Sequence, residues 1–217
     1  MDNTRRSVLG AVLAAPLLAQ FAGAADAGAA DGSLGTVSDG WAEVRWTPLG
    51  EALLGRFGAT VAAVEPATMD AKGGAIRFPV PAGNGDPSLL NPAKAHGDGR
   101  LAGGVEVRTP QGTVRVTELQ GFLQDGVAWG KCVVNGLDVG HRATVRPGLD
   151  KGVLQTETVP LGSPMKVKVA EVPLRPTPEL LETFAATFAT DEITADSVLA
   201  YVTAEGVYTP PKKQKTA

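Results

Sequence analysis

Hydrophobic and polar residues alternate in most apolar segments between Trp41 and Tyr208, and this period of two is typical of β-strands. The clearest case is a hairpin in which runs 105–108 and 113–117 flank a Thr-Pro-Gln-Gly turn. Its valines are expected on one face: Val105, Val107, Val114 and Val116. Further strand-like runs occur at 75–80, 127–134, 152–159, 165–172 and 198–208, and the fourth of these slips by one residue before Val172. About seven or eight strands between Gly and Pro turns predict a mainly β fold, an antiparallel β-sandwich or barrel.

Two segments, 47–57 and 178–189, instead carry apolar residues at four-residue spacing. Thr47-Pro48 opens the first segment, and Thr177 precedes Pro178 of the second; in each pair Thr caps a helix and Pro suits its first position. In the first segment Leu49, Leu53 and Phe57 form the apolar stripe. We therefore expect one or two short helices beside the sheet. No β-α-β alternation is present, which argues against a parallel sheet.

The first 24 residues have the organisation of a twin-arginine export signal. Arg5 and Arg6 precede an uncharged run over residues 7–25, and Ala22 and Ala24 occupy the small-residue positions read by signal peptidase. The sequence thus predicts export from a bacterium, with the mature protein secreted or held at the cell envelope. An uncleaved membrane anchor is the alternative, because the run is long enough to cross a bilayer.

The rest of the chain divides by composition. Residues 25–40 are rich in Ala, Gly and Asp and predict a flexible linker. Residues 41–209 have the size and patterning of a single β-rich domain. Residues 210–217 form a basic tail with three lysines and no apolar anchor.

Composition narrows the function classes. The 217 residues include 20 Lys and Arg against 23 Asp and Glu, a net charge of -3, which argues against nucleic-acid binding. A single cysteine excludes a disulfide framework and a multi-cysteine zinc site. That residue, Cys132, lies in an apolar run and is predicted to be a buried, inert thiol. Membrane contact is expected only through the signal peptide during export.

No catalytic motif with its required spacing is present, so neither catalytic nor metal-ligating residues are predicted. His141 follows Asp138 by three residues in an expected turn, and a carboxylate near a histidine can orient it as a base or ligand. Such pairs also arise by chance. We therefore expect a non-enzymatic domain with a binding or structural role, whose partner is a protein or a cell-wall polymer. A hydrolase that assembles His141 and Asp138 only in the fold is an alternative.

His96 is the second histidine and lies in a polar, glycine-rich stretch, residues 94–99. A loop histidine can ligate a metal or a haem iron. The alternative is a solvated surface residue, since no set of partner ligands lies nearby in sequence.

The order of several short motifs resembles that of secreted actinobacterial proteins similar in layout to the HtaA domain. The residues that carry the resemblance are Leu53–Val61, Val64–Ala67, Ile76–Val80, Leu101–Val105, Thr177–Glu179 and Gly206–Tyr208. Together they extend from about Trp46 to Tyr208.

HtaA domains are all-β haem-binding modules of cell-surface haem-uptake proteins, so the resemblance implies a β-rich module for which haem is a candidate cofactor. In that family a tyrosine and a histidine contact haem. Here no tyrosine precedes Tyr201, whereas His96-Gly97-Asp98-Gly99 resembles the histidine-bearing loop. The resemblance therefore carries over His96 alone as a cofactor-binding residue.

Overall fold

A computed structural model describes residues 35–86, 96–122, 126–160, 162–181 and 193–211. In this part of the chain, twelve strands form one antiparallel sheet. The strands are β1 (Gly35–Trp46), β2 (Thr60–Val64), β3 (Thr68–Met69), β4 (Ala75–Asp86), β5 (His96–Arg100), β6 (Gly104–Thr109), β7 (Gly112–Phe122), β8 (Val127–Val134), β9 (Leu137–Pro147), β10 (Val153–Thr156), β11 (Met165–Pro176) and β12 (Ala200–Thr209). They are accompanied by the helix α1 (Pro48–Arg56), by a 3-10 turn (Leu149–Lys151) and by the start of a second helix at residues 178–181.

Hydrogen bonds join eight of these strands into a closed circuit. Its order is β7-β5-β4-β1-β12-β11-β9-β8, and β8 pairs back onto β7. Each of these strands pairs with a neighbour on both sides, although β11 and β9 are joined by only three residue pairs, and their inward side chains form one hydrophobic core. β6 and β2 extend outward from β7, while β3 and β10 pair with β4 and β11. The predicted antiparallel sandwich or barrel with short helices is confirmed.

The predicted hairpin is formed by β6 and β7. Val105 lies opposite Val116 and Val107 opposite Val114, and all four side chains are buried. Alternation therefore identified the correct face. The run 127–134 is β8, in which every second residue is buried.

In three strands a β-bulge with one extra residue contains a non-glycine residue with positive φ. These residues are Asp39 in β1, Glu118 in β7 and Glu171 in β11. The bulge in β11 lies between Val169 and Val172. It explains the slip in alternation seen in the sequence, because an extra residue moves the following side chains to the other face.

Helix α1 begins and ends as predicted. The Thr47 hydroxyl accepts a hydrogen bond from the backbone N–H of Gly50, Pro48 takes the first helical position, and Gly58 follows with φ of 58°. The predicted stripe is only partly buried, because the helix packs through Gly50 and Leu53, which leaves Leu49 exposed. Among the described residues, no helix is long and apolar enough to cross a membrane.

The second predicted helix is described only at its start. Residues 178–181 are helical, and the Thr177 hydroxyl accepts a hydrogen bond from the N–H of Leu180. The rest of that segment lies outside the described residues. So do residues 1–34, including Arg5, Arg6, Ala22 and Ala24, and the tail from residue 212 onward.

The predicted linker boundary at residue 40 is wrong, because β1 begins at Gly35. Small residues are required there: β1 lies between β4 and β12, and a Cβ at Gly35 would meet the ring of Tyr208. Composition suggested a linker where close packing demands glycine.

Strands β2, β5 and β9 were also not predicted, since Ala, Gly and charged residues obscure their alternation.

Two glycines of α1 provide a matched test of this packing. A Cβ at Gly50 would clash with the backbone carbonyl of Leu199, whereas a Cβ at Gly55 would meet no atom within 4 Å. We expect Gly50→Ala to lower the free energy of unfolding by about 1–3 kcal/mol through overpacking. Gly55→Ala should raise it by up to about 1 kcal/mol through helix propensity. Urea unfolding of the two variants checks both signs, and equal effects would contradict this packing of α1.

Candidate functional site

A groove with a volume of about 800 Å³ opens on the outer face of the sheet beside β7. One wall consists of outward side chains of β7 and β9. The other consists of the segments around residues 64–65 and 100–103 and of Pro81. The polar residues that line it are Glu65, Arg100, Arg115, Thr117, Glu118, Gln120 and His141.

The β7 bulge determines which side chains reach the groove. Before it, Arg115 and Thr117 point outward; after it, Leu119 is buried and Gln120 points outward. The extra residue, Glu118, has φ of 48° and also faces the groove. Regular alternation would have turned Glu118 toward the core. The bulge thus collects polar groups that a regular strand would divide between two faces.

A second irregularity places His141. The pairing of β8 with β9 shifts between Cys132 and Val133, beside Gly140, which has φ of 80°. The Asp138 carboxylate accepts a hydrogen bond of 2.8 Å from the N–H of Gly140 and closes this local turn. His141 then lies opposite Lys131, which in turn lies opposite Thr117 of β7.

Two polar side chains contact the imidazole, and two charged side chains extend this chain of contacts. The Gln120 amide donates to Nδ1 of His141 at 3.3 Å, and Nε2 lies 3.3 Å from the Glu118 carboxylate. Lys131 bridges Glu118 at 3.7 Å and Asp138 at 3.3 Å. The His141 side chain remains 41% exposed, so its ring is accessible from the groove.

Two pKa values are displaced in this network. The pKa of Asp138 is lowered, first by the hydrogen bond from Gly140 and then by the hydrogen bond from Lys131. The pKa of Lys131 is raised, first by its hydrogen bond to Asp138 and then by the charges of Asp138 and Glu118. Both groups therefore stay charged over a wide pH range.

The structure corrects two expectations about His141. It lies in strand β9 rather than in a turn, because it pairs with Lys131 of β8 within the strand Leu137–Pro147. Its carboxylate partner in the structure is Glu118 rather than Asp138. Sequence spacing could not reveal Glu118, which lies 23 residues earlier and is brought near only by the pairing of β7, β8 and β9.

The structure describes the backbone of His96 but not its side chain. Its backbone begins β5 opposite Asp86, so the predicted loop is a strand here. The formation of β5 depends on pairing with β4 and β7, which glycine-rich composition does not indicate. The side chain of His96 lies outside the described part of the structure. Within that part, no group of three or more His, Cys, Asp and Glu residues is arranged to hold a metal ion.

Cys132 lies inside the core beneath this region. Its side chain is buried, and its thiol donates weakly to the Gly130 carbonyl at 3.6 Å. Burial raises the pKa of this thiol to about 11, so little thiolate exists at neutral pH. The predicted buried thiol is confirmed.

Comparison with solved structures matches the C-terminal domain of HtaA from Corynebacterium glutamicum with a TM-score of 0.50. The chain shares the fold of this HtaA domain. The match covers 81% of the chain and 99% of that domain at 11% sequence identity. The resemblance of layout is therefore confirmed, whereas the identity of site residues does not follow from it. No protein-family model and no curated protein matches the sequence.

The state of Cys132 generates one prediction. In the folded protein at pH 8, a thiol reagent such as DTNB should react far more slowly than in denaturant, because the thiol is both buried and protonated. The chain has one cysteine, so the released chromophore reports this residue alone. Equal rates in the two states would contradict its burial.

The lowered pKa of the Asp138 carboxylate leads to a second prediction. Its folded pKa lies below the unfolded value, so its contribution to stability is present above the ordinary carboxyl pKa and disappears as pH falls through the lowered value. In an NMR pH titration, Lys131→Met should move the Asp138 midpoint upward only in part, because the hydrogen bond from Gly140 remains. Complete recovery of the ordinary carboxyl pKa would contradict the leading role of that bond.

Proposed function

We propose that the chain is an exported, non-enzymatic binding domain of the cell envelope, and that its ligand is haem held in the groove with His141 as the iron ligand. One observation supports this most directly. An exposed imidazole lies on the wall of an open groove of about 800 Å³, on the fold of an HtaA domain. Imidazole is a common axial ligand of haem iron.

The residues present fit such a ligand. The groove lies within the roughly 300–1,000 Å³ typical of small-molecule sites. Val64, Pro81 and Ala102 provide apolar surface for a porphyrin ring, and Arg100 and Arg115 provide cations for its carboxylates. The bound group would supply iron for ligand or electron exchange. His141 would coordinate it, and Gln120 would fix the imidazole through Nδ1.

Glu118 occupies the Nε2 side of His141 in this structure. Its side chain is 59% exposed and also reaches Lys131, so it can leave the imidazole while keeping an ion pair. Reversal of the Gln120 amide would present its oxygen to Nδ1 and favour the proton there. Nε2 would then be free to bind a metal.

A binding role is preferred to hydrolysis because the His141–Glu118 pair lacks a positioned nucleophile. Thr117 supplies the one hydroxyl among the groove-lining residues, and no hydrogen bond joins it to His141 in the described structure. Nucleophilic catalysis requires that contact. The export part of the proposal rests on the signal-like residues 1–24.

The test is a hemin titration of the protein from residue 25 onward, followed by absorbance. We expect a saturable one-to-one Soret shift that His141→Ala removes. The chain has only two histidines, so His96→Ala tests the other imidazole that could bind the iron. Tyr201→Phe is the control, since this tyrosine is exposed on β12, away from the groove.

Each result has a distinct meaning. A shift lost in His141→Ala and retained in the other two variants supports the groove. A shift lost only in His96→Ala would move the site to β5 and contradict the assignment of His141. A flat titration of the unmodified protein would contradict haem binding altogether.

A further inference from the structure

Four arginines of this sheet fall into two pairs with different surroundings. Arg45 and Arg108 each pair with a glutamate two residues earlier on the same strand, at 2.7 and 2.6 Å. Arg100 and Arg115 line the groove, and neither forms an ion pair with any described residue. Two guanidinium groups thus face one open groove without a carboxylate partner among the described residues.

The pairing of β6 with β7 explains why Arg115 has no ion-pair partner in the part of the chain that the structure describes. Glu106 lies directly opposite Arg115 on the outer face of the hairpin. However, Glu106 accepts hydrogen bonds of 2.7 Å and 2.6 Å from Nε and Nη2 of Arg108. The carboxylate nearest in register is therefore held by another arginine.

The carboxylates of the groove itself do not compensate for these charges. Glu118 is held by His141 and Lys131, and Glu65 forms no ion pair within the described structure. An arginine that loses water on ligand binding needs an anionic acceptor, because an unpaired buried charge is costly. The guanidinium fork suits carboxylates in particular.

We infer that Arg100 and Arg115 select the groove's ligand through its anionic groups, and that this ligand is a small apolar molecule bearing two separated carboxylates. The inference rests on the proposed use of the groove. It attributes part of the binding affinity to ion pairs between these two arginines and the carboxylates of the ligand. This part is separate from iron coordination by His141. A neutral ester of the same molecule would leave both guanidinium groups unpaired and should bind poorly.

Iron-free protoporphyrin IX separates the two contributions, because it carries both carboxylates and no metal. Its fluorescence should change saturably on binding to the protein. In Arg100→Gln and Arg115→Gln the affinity should fall by about fivefold each, the size expected for a partly exposed ion pair. His141→Ala should leave it nearly unchanged. The dimethyl ester should bind weakly to every variant.

Arg142→Gln is the matched control. Arg142 is exposed on β9, next in sequence to His141, and does not line the groove. The same loss of charge there should not alter protoporphyrin affinity. Urea unfolding of each variant verifies that the fold is retained.

A fourth variant tests the role of Glu106 without altering the groove lining. Arg108→Gln frees Glu106 to pair with Arg115, so protoporphyrin should bind about threefold more weakly, a change typical of surface ion pairs. Adding Glu106→Gln should restore the original affinity. If Arg108→Gln weakens protoporphyrin binding and the added Glu106→Gln does not restore it, the proposed pairing of Glu106 with Arg115 is contradicted.

The outcomes distinguish this inference from haem binding. Equal protoporphyrin affinity in the unmodified protein and both groove-arginine variants would overturn the inference, even if hemin still gave a Soret shift. Arginine-dependent protoporphyrin binding without a His141-dependent hemin shift would support the inference and overturn haem ligation. Competition by millimolar inorganic phosphate as strong as that by a dicarboxylate would contradict the choice of carboxylates.

Discussion

The β-bulge at Glu118 is the constraint on which the groove depends. Because β7 carries one extra residue there, Thr117 and Glu118 both face outward, while Leu119 fills the core. The bulge can persist because β7 is bonded on both edges, to β8 on one side and to β6 and β5 on the other. A strand held in this way keeps a left-handed residue that a free edge would relax.

The closed circuit gives this local geometry a rigid support. His141 lies on β9, Glu118 on β7 and Lys131 on β8. Backbone hydrogen bonds fix the spacing of these three adjacent strands. The groove's opposite wall comes from segments at residues 64–65 and 100–103. A small ligand placed between these walls meets a strand-based surface with an imidazole and two arginines, neither of which forms an ion pair within the described ranges.

Periodicity predicted the parts of the fold that depend on local pattern: the β6–β7 hairpin, the Thr47-capped helix and the slip before Val172. It did not predict strands in which glycine or charge replaces apolar residues, such as β1 from Gly35. The site was harder to predict from the sequence, because Glu118 reaches His141 only through strand pairing. A single left-handed glutamate leaves no signal in the sequence, and the chemistry therefore became visible only in three dimensions.

The most direct test of the groove is a map of backbone amide shifts in ¹⁵N-labelled protein on addition of gallium protoporphyrin, a diamagnetic substitute for haem. We expect the largest shifts at residues 64–65, 100–103, 115–120 and 141. Shifts centred instead on the outer face of β12, around Tyr201, would place the ligand on the opposite side of the strand circuit. That result would contradict the groove as the binding site.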